Sequence, residues 1–94
     1  MAAVGVLTLE LRIDHAHSLK EKRHVIKGLK ERLRNKFNVS VAEIDDIDLH
    51  NSAVIAVAAV SPSRPFAEKV LQGVEREASG LLGPMLMRVE LEWL

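Results

Sequence analysis

The chain has no cysteine and no tyrosine. Without thiols it forms no disulfide, offers no thiol nucleophile and holds no zinc site of the cysteine type. Aromatic residues are nearly absent as well, being only Phe37, Phe66 and Trp93. A core must therefore be aliphatic, built from Val, Leu, Ile and Ala. The central strands also lack the ring signature with which an RNA-recognition motif stacks bases. No uncharged apolar run approaches the ~18 residues of a membrane span. The opening MAAVGVLTLELRI has no basic leader and meets a carboxylate at Glu10, so a secretory signal is not expected and the cytoplasm is the expected location. There is no glycine-rich phosphate loop, and neither Ser18 nor Ser61 has an activating His–Asp pair at readable spacing. No catalytic residue, cofactor or metal is expected, and the protein is read as a non-enzyme.

What is present suits one globular domain over residues 1–94. Hydrophobic residues make up 48% of the chain, enough for a real core at this length without a disulfide or metal. Val4 to Ile13 alternates, with Leu7, Leu9, Leu11 and Ile13 on one face, and predicts a strand. Ser18 and Glu21 form a capping box that opens a helix to about Asn35. Its apolar face is Leu19, Ile26, Leu29, Leu33 and Phe37. Phe37 to Ile44 predicts a second strand, and the apolar run AVIAVAAV, Ala53 to Val60, a third that is central and buried on both faces. Ser63 and Pro65 open a second helix over about Phe66 to Ala78, with Phe66, Val70, Val74 and Leu71 assigned to its core face. Met85 to Leu94 predicts the last strand, with Met85, Met87, Val89, Leu91 and Trp93 on one side. The order βαββαβ is the α+β split, or ferredoxin-like, pattern: a four-stranded antiparallel sheet with two helices on one face.

The net charge is zero, 13 basic residues against 13 acidic, but the charges are segregated. Ser18 to Lys36 holds eight basic and two acidic residues, +6, which leaves −6 for the rest. Lys20, Arg23, Lys27, Lys30 and Arg34 recur at spacings of 3, 4, 3 and 4. On a helix they fall in a band about 80° wide, centred about 100° from the apolar face. Aligned cations repel one another by a few tenths of a kcal/mol per pair, so the stripe is read as a nucleic-acid contact, for RNA phosphates, against the alternative of a solvated face. Lys22 instead falls inside the apolar face and is expected to run its stem over the core edge with its ammonium in water, against the alternative of an anion site.

Weaker signals remain. His15 and His17 form an HxH that is read as exposed loop, and Glu43, Asp45, Asp46 and Asp48 are read as an acidic turn without a calcium-binding loop. The loop after the first strand, DHAHSLKEKR, lacks the glycine-bracketed arginine loop of acylphosphatases. The apolar third strand, Val6 and Leu86 would leave the uncovered sheet face apolar, which predicts a homodimer or a protein partner there. A protein-interaction or regulatory module acting through that face is the second functional reading.

SLKEKR, RLRNKFNVSVAE and AVIAVAAV resemble the YlxP-like family of small bacterial proteins, and the likeness runs through nearly the whole chain. The resemblance implies a ferredoxin-like domain of unknown function. It also implies an RNA- or ribosome-associated role, since such genes sit beside those of translation initiation and ribosome maturation factors. It supplies no catalytic residues.

Overall fold

A computed structural model describes residues 1–94. The elements are β1 (Ala3–Arg12), α1 (Leu19–Lys36), β2 (Ser40–Asp45), β3 (Ser52–Ser61), α2 (Arg64–Leu82), a 3-10 turn at Gly83–Met85, and β4 (Leu86–Trp93). The sheet is antiparallel in the order β2-β3-β1-β4, so the fold is the expected ferredoxin-like βαββαβ. α1 lies beside β2 and α2 crosses β1 and β3.

Alternation on β1 buries Leu7, Leu9 and Leu11, and Ile13 follows them into the core. They meet Ala53, Ile55, Val57 and Ala59 of β3, and Ile26, Leu29 and Leu33 of α1. α1 starts where Ser18 accepts the Glu21 N–H at 3.1 Å, one half of the capping box. The other half differs, because the Glu21 carboxylate takes the Ser18 hydroxyl at 3.4 Å in place of a backbone N–H. Ser63 caps α2 by accepting the Phe66 N–H at 3.3 Å.

Three expectations about the elements and their facing are corrected. First, α2 continues past Gly80 to Leu82. Ala67, Leu71, Val74, Ala78 and Leu82 form its buried face, and Phe66 is 60% exposed. Small Ala67 and Ala78 let the helix approach the sheet, and burying Leu82 outweighs the roughly 1 kcal/mol a mid-helix glycine costs. Second, a β-bulge shifts the β1–β4 register between Glu10 and Leu11, so Leu86 stands opposite Leu11. The extra residue reverses facing. Leu86 packs on the core, and Met87 is 59% exposed. Third, β3 is central but buried on one face only. Val54, Ala56 and Ala58 are half-buried and Val60 is exposed.

Lys22 also departs from expectation. Its side chain is 1% exposed. Nζ donates to the carbonyls of Asp46 at 2.6 Å, Leu49 at 2.5 Å and Ser52 at 2.8 Å. Those three bonds use all three ammonium protons. Glu43 Oε2, 2.8 Å from Nζ, therefore supplies charge without a fourth directed bond and has no other hydrogen-bond partner. The acidic β2–β3 turn is thus wrapped round a cation belonging to the chain itself. Asp46 turns the backbone at φ 58°. Its carboxylate accepts the Ser52 hydroxyl at 2.7 Å, and Asp45 accepts the Asp46 N–H at 2.8 Å. The β1–α1 loop is tied to the same turn by His50 Nδ1 against the Ala16 carbonyl at 2.9 Å and by the Ile13 N–H to the Asn51 carbonyl at 2.8 Å.

At the opposite end, Gly5 faces the helices. A Cβ there would lie 2.7 Å from Leu71 Cδ1 and 2.9 Å from the Trp93 ring. The Arg64 guanidinium covers that ring at 4.6 Å.

Two stability outcomes follow from these contacts. Lys22→Met leaves the Glu43 charge and three carbonyls unanswered and should cost about 3–5 kcal/mol in urea unfolding, and adding Glu43→Gln should recover part of that loss. A loss below about 1 kcal/mol would contradict the caged ammonium. Gly5→Ala should cost about 1–3 kcal/mol by overpacking. An unchanged urea midpoint would show that Leu71 and Trp93 can move aside.

Candidate nucleic-acid interface

α1 presents three longitudinal faces. The apolar face, with Lys22 in it, lies on the core. The flank beside α2 carries Arg32 and Lys36, and both are spent on Glu77 of α2, at 2.9 Å each. These partners hold the Glu77 carboxyl below the ordinary carboxylate range, the Lys36 hydrogen bond most and the Arg32 hydrogen bond next. The third face, toward the free edge of β2, carries Lys20, Arg23, Lys27, Lys30 and Arg34.

The structure therefore brings the five stripe residues to one side of one helix, as their spacing requires. Lys20, Arg23, Lys27 and Arg34 are exposed and Lys30 is half-buried. None of the five forms an ion pair with a carboxylate, whereas Arg32 and Lys36 on the other flank both do. Arg34 differs from the other four. Its guanidinium donates to the Val41 carbonyl of β2 at 3.0 Å, which ties the end of α1 to the sheet edge and occupies an acceptor that an edge strand otherwise leaves open.

Between stripe and edge runs a groove of about 330 Å³, lined by Arg23, Ile26, Lys27, Lys30 and Arg34 with Glu31 and Glu43. Glu43 is the residue the sequence reading missed, because it was grouped with the acidic turn. It stands opposite Ile55 on the helix side of the sheet, where its carboxylate is held by Lys22. The available signal was the pairing of a lysine in an apolar helix face with a glutamate in strand alternation.

The remaining polar groups are placed apart from the stripe. His15 and His17 are exposed in the β1–α1 loop, and His50 is engaged with Ala16. No group of three or more His, Asp or Glu side chains converges as metal ligands would. No helix is long and apolar enough to cross a membrane.

The chain is 46% identical over 71 residues to the uncharacterized protein YlxP of Bacillus subtilis (strain 168), a match spanning 76% of this chain and 77% of that protein. Among solved structures, the de novo designed protein Foldit4 aligns with a TM-score of 0.63 at 16% identity, over 100% of this chain and 97% of the design. A dimeric ferredoxin-like protein of unknown function from Thermobifida fusca aligns at 0.55 and 15% identity, over 99% and 90%. At such identities the structural matches speak for the fold alone. Residues 4–83 match the family described as Protein of unknown function (DUF503), and with the YlxP relative this establishes that the chain belongs to that family.

Proposed function

We propose that this protein is a non-enzymatic module that binds RNA, in the setting of the ribosome, through the basic face of α1. The observation that carries this reading is the sorting of charge on one helix. Cations beside α2 are neutralised by Glu77, and those beside β2 have no carboxylate partner. A helix that keeps Lys20, Arg23, Lys27 and Lys30 aligned accepts mutual repulsion, which an anionic ligand relieves. Phosphate backbones supply such a charge array and release counterions on binding. The polar groups at the Lys22 end support a role without catalysis, since Glu43, Asp46 and His50 are each committed to holding the β2–β3 turn.

A second reading rests on the open sheet face. Val4, Val6 and Thr8 of β1 and Val54, Ala56, Ala58 and Val60 of β3 point away from the helices. Glu90 and Glu92 of β4 border them, opposite Thr8 and Val6. An apolar centre with a charged margin is the anatomy of a protein interface. Four strands about 4.8 Å apart and some eight residues long give a face of roughly 500 Å² in projection, of the order of the ~800 Å² of accessible surface a standard interface takes from each partner. A second copy of the chain fits such a face, and the Thermobifida fusca protein of the same fold is described as dimeric. The stripe lies on the helix layer, so the two readings do not compete for one surface.

Each reading has its own measurement. With four free cations engaged, log K for RNA should fall with log salt at a slope of about −3 to −3.5. Co-sedimentation with ribosomal subunits should be salt-sensitive and should disappear when Lys20, Arg23, Lys27 and Lys30 are changed to Glu in a variant whose circular dichroism is unchanged. Binding indifferent to salt, or retained by that variant, would refute the stripe. For the sheet face, sedimentation equilibrium should give twice the 10.4 kDa chain mass, and Val6→Lys with Ala58→Lys should return it to the monomer. A wild-type monomer at all concentrations would rule the dimer out.

A further inference from the structure

Resting on the reading of the α1 stripe as an RNA contact, we infer that its ligand is duplex RNA, held through its backbone, and not a single strand. The stripe is straight and rigid. From Lys20 to Arg34 it runs about 21 Å along one helix. Arg34 on Val41 and Lys22 in the β2–β3 turn fasten that helix at both ends. A stiff array of cations matches a ligand whose phosphates are already in place. A flexible strand would have to be ordered on it at an entropic cost.

Proteins that hold single strands recover that cost by stacking bases on aromatic rings. This surface has none to offer. Phe37 is packed against Gly73, where an added Cβ would lie 2.9 Å from its ring. Trp93 lies on Gly5 under Arg64, and Phe66 belongs to α2. The groove lining and β2 carry no ring, and the exposed imidazole of His24 lies on the α2 side of the crest of α1, about 80° from the centre of the stripe.

The groove wall is also prepared for phosphate. The Val41 carbonyl is covered by Arg34, and the Glu43 carboxylate is turned onto Lys22. Glu31 is then the one carboxylate on the groove that is free of a partner. Duplex RNA is recognised largely by backbone, 2′-hydroxyl and shape, which demands of the protein what this face supplies.

The test is fluorescence anisotropy with a labelled blunt RNA duplex and with oligouridine of the same length, at low and at physiological salt. The duplex should bind at least about tenfold tighter. Glu31→Lys should tighten it further by several-fold without changing the circular dichroism, and Lys27→Glu with Lys30→Glu should weaken it by more than about tenfold. Oligouridine binding as well as the duplex, with salt dependence intact, would overturn the duplex inference and leave the RNA reading standing. Binding of neither probe would overturn both. Because Glu31 is exposed and unpaired, its variant still tests the groove should the double charge reversal fail to fold.

Discussion

The ammonium of Lys22 is the point on which the α1 and β2–β3 end of this molecule depends. A charged group in an aliphatic interior is costly unless every proton and the charge itself are answered. Here three backbone carbonyls answer the protons and Glu43 answers the charge. Those partners span the end of β2, the turn and the start of β3, so one side chain joins the first helix to the hairpin beneath it. It also sets the rotation of α1 about its axis. With Lys22 directed into the turn, Lys20, Arg23, Lys27 and Lys30 have nowhere to face but the β2 edge.

The same contact explains why an acidic turn can lie beside a basic helix without cancelling it. Glu43 is used up by Lys22, and Asp46 is used up by Ser52. On the other flank Glu77 occupies Arg32 and Lys36. Of the carboxylates that approach α1 from other elements, Glu43 and Glu77 are thus bound to cations outside the stripe. A net charge of zero coexists with a strip of unneutralised positive charge, and net charge alone is a poor guide to what a small protein attracts.

The sheet gives the molecule two surfaces of different character. Its helix side is filled largely by aliphatic side chains, with Ala67 buried and Gly5 marking a close approach to Leu71 and Trp93. Its open side is a field of small apolar residues from β1 and β3, with charge along β4. Any partner taken on that side leaves the stripe accessible, because sheet face and α1 stripe belong to different layers.

Much of this was legible in the linear sequence. Period-two alternation named the buried side of β1, Ser18 and Ser63 marked both helix starts, and the 3-4-3-4 spacing alone aligned the stripe. These are local properties, decided by backbone geometry within a few residues. On α2 Val74 was legible as core, but the choice of Ala67 over Phe66 was not, since it depends on how near the sheet lies. The facing of Met87 was not legible either, since a bulge is a mismatch between two strands and belongs to neither. Lys22 and Glu43 stand 21 positions apart in the chain, and a lysine on an apolar face reads as a snorkelling one until the turn that receives it is in place. The sequence by itself determined the elements, their order and the alignment of the cations. Only the tertiary structure decided which charges were spent and which were left free, because ion pairing depends on distance through space and not on distance along the chain.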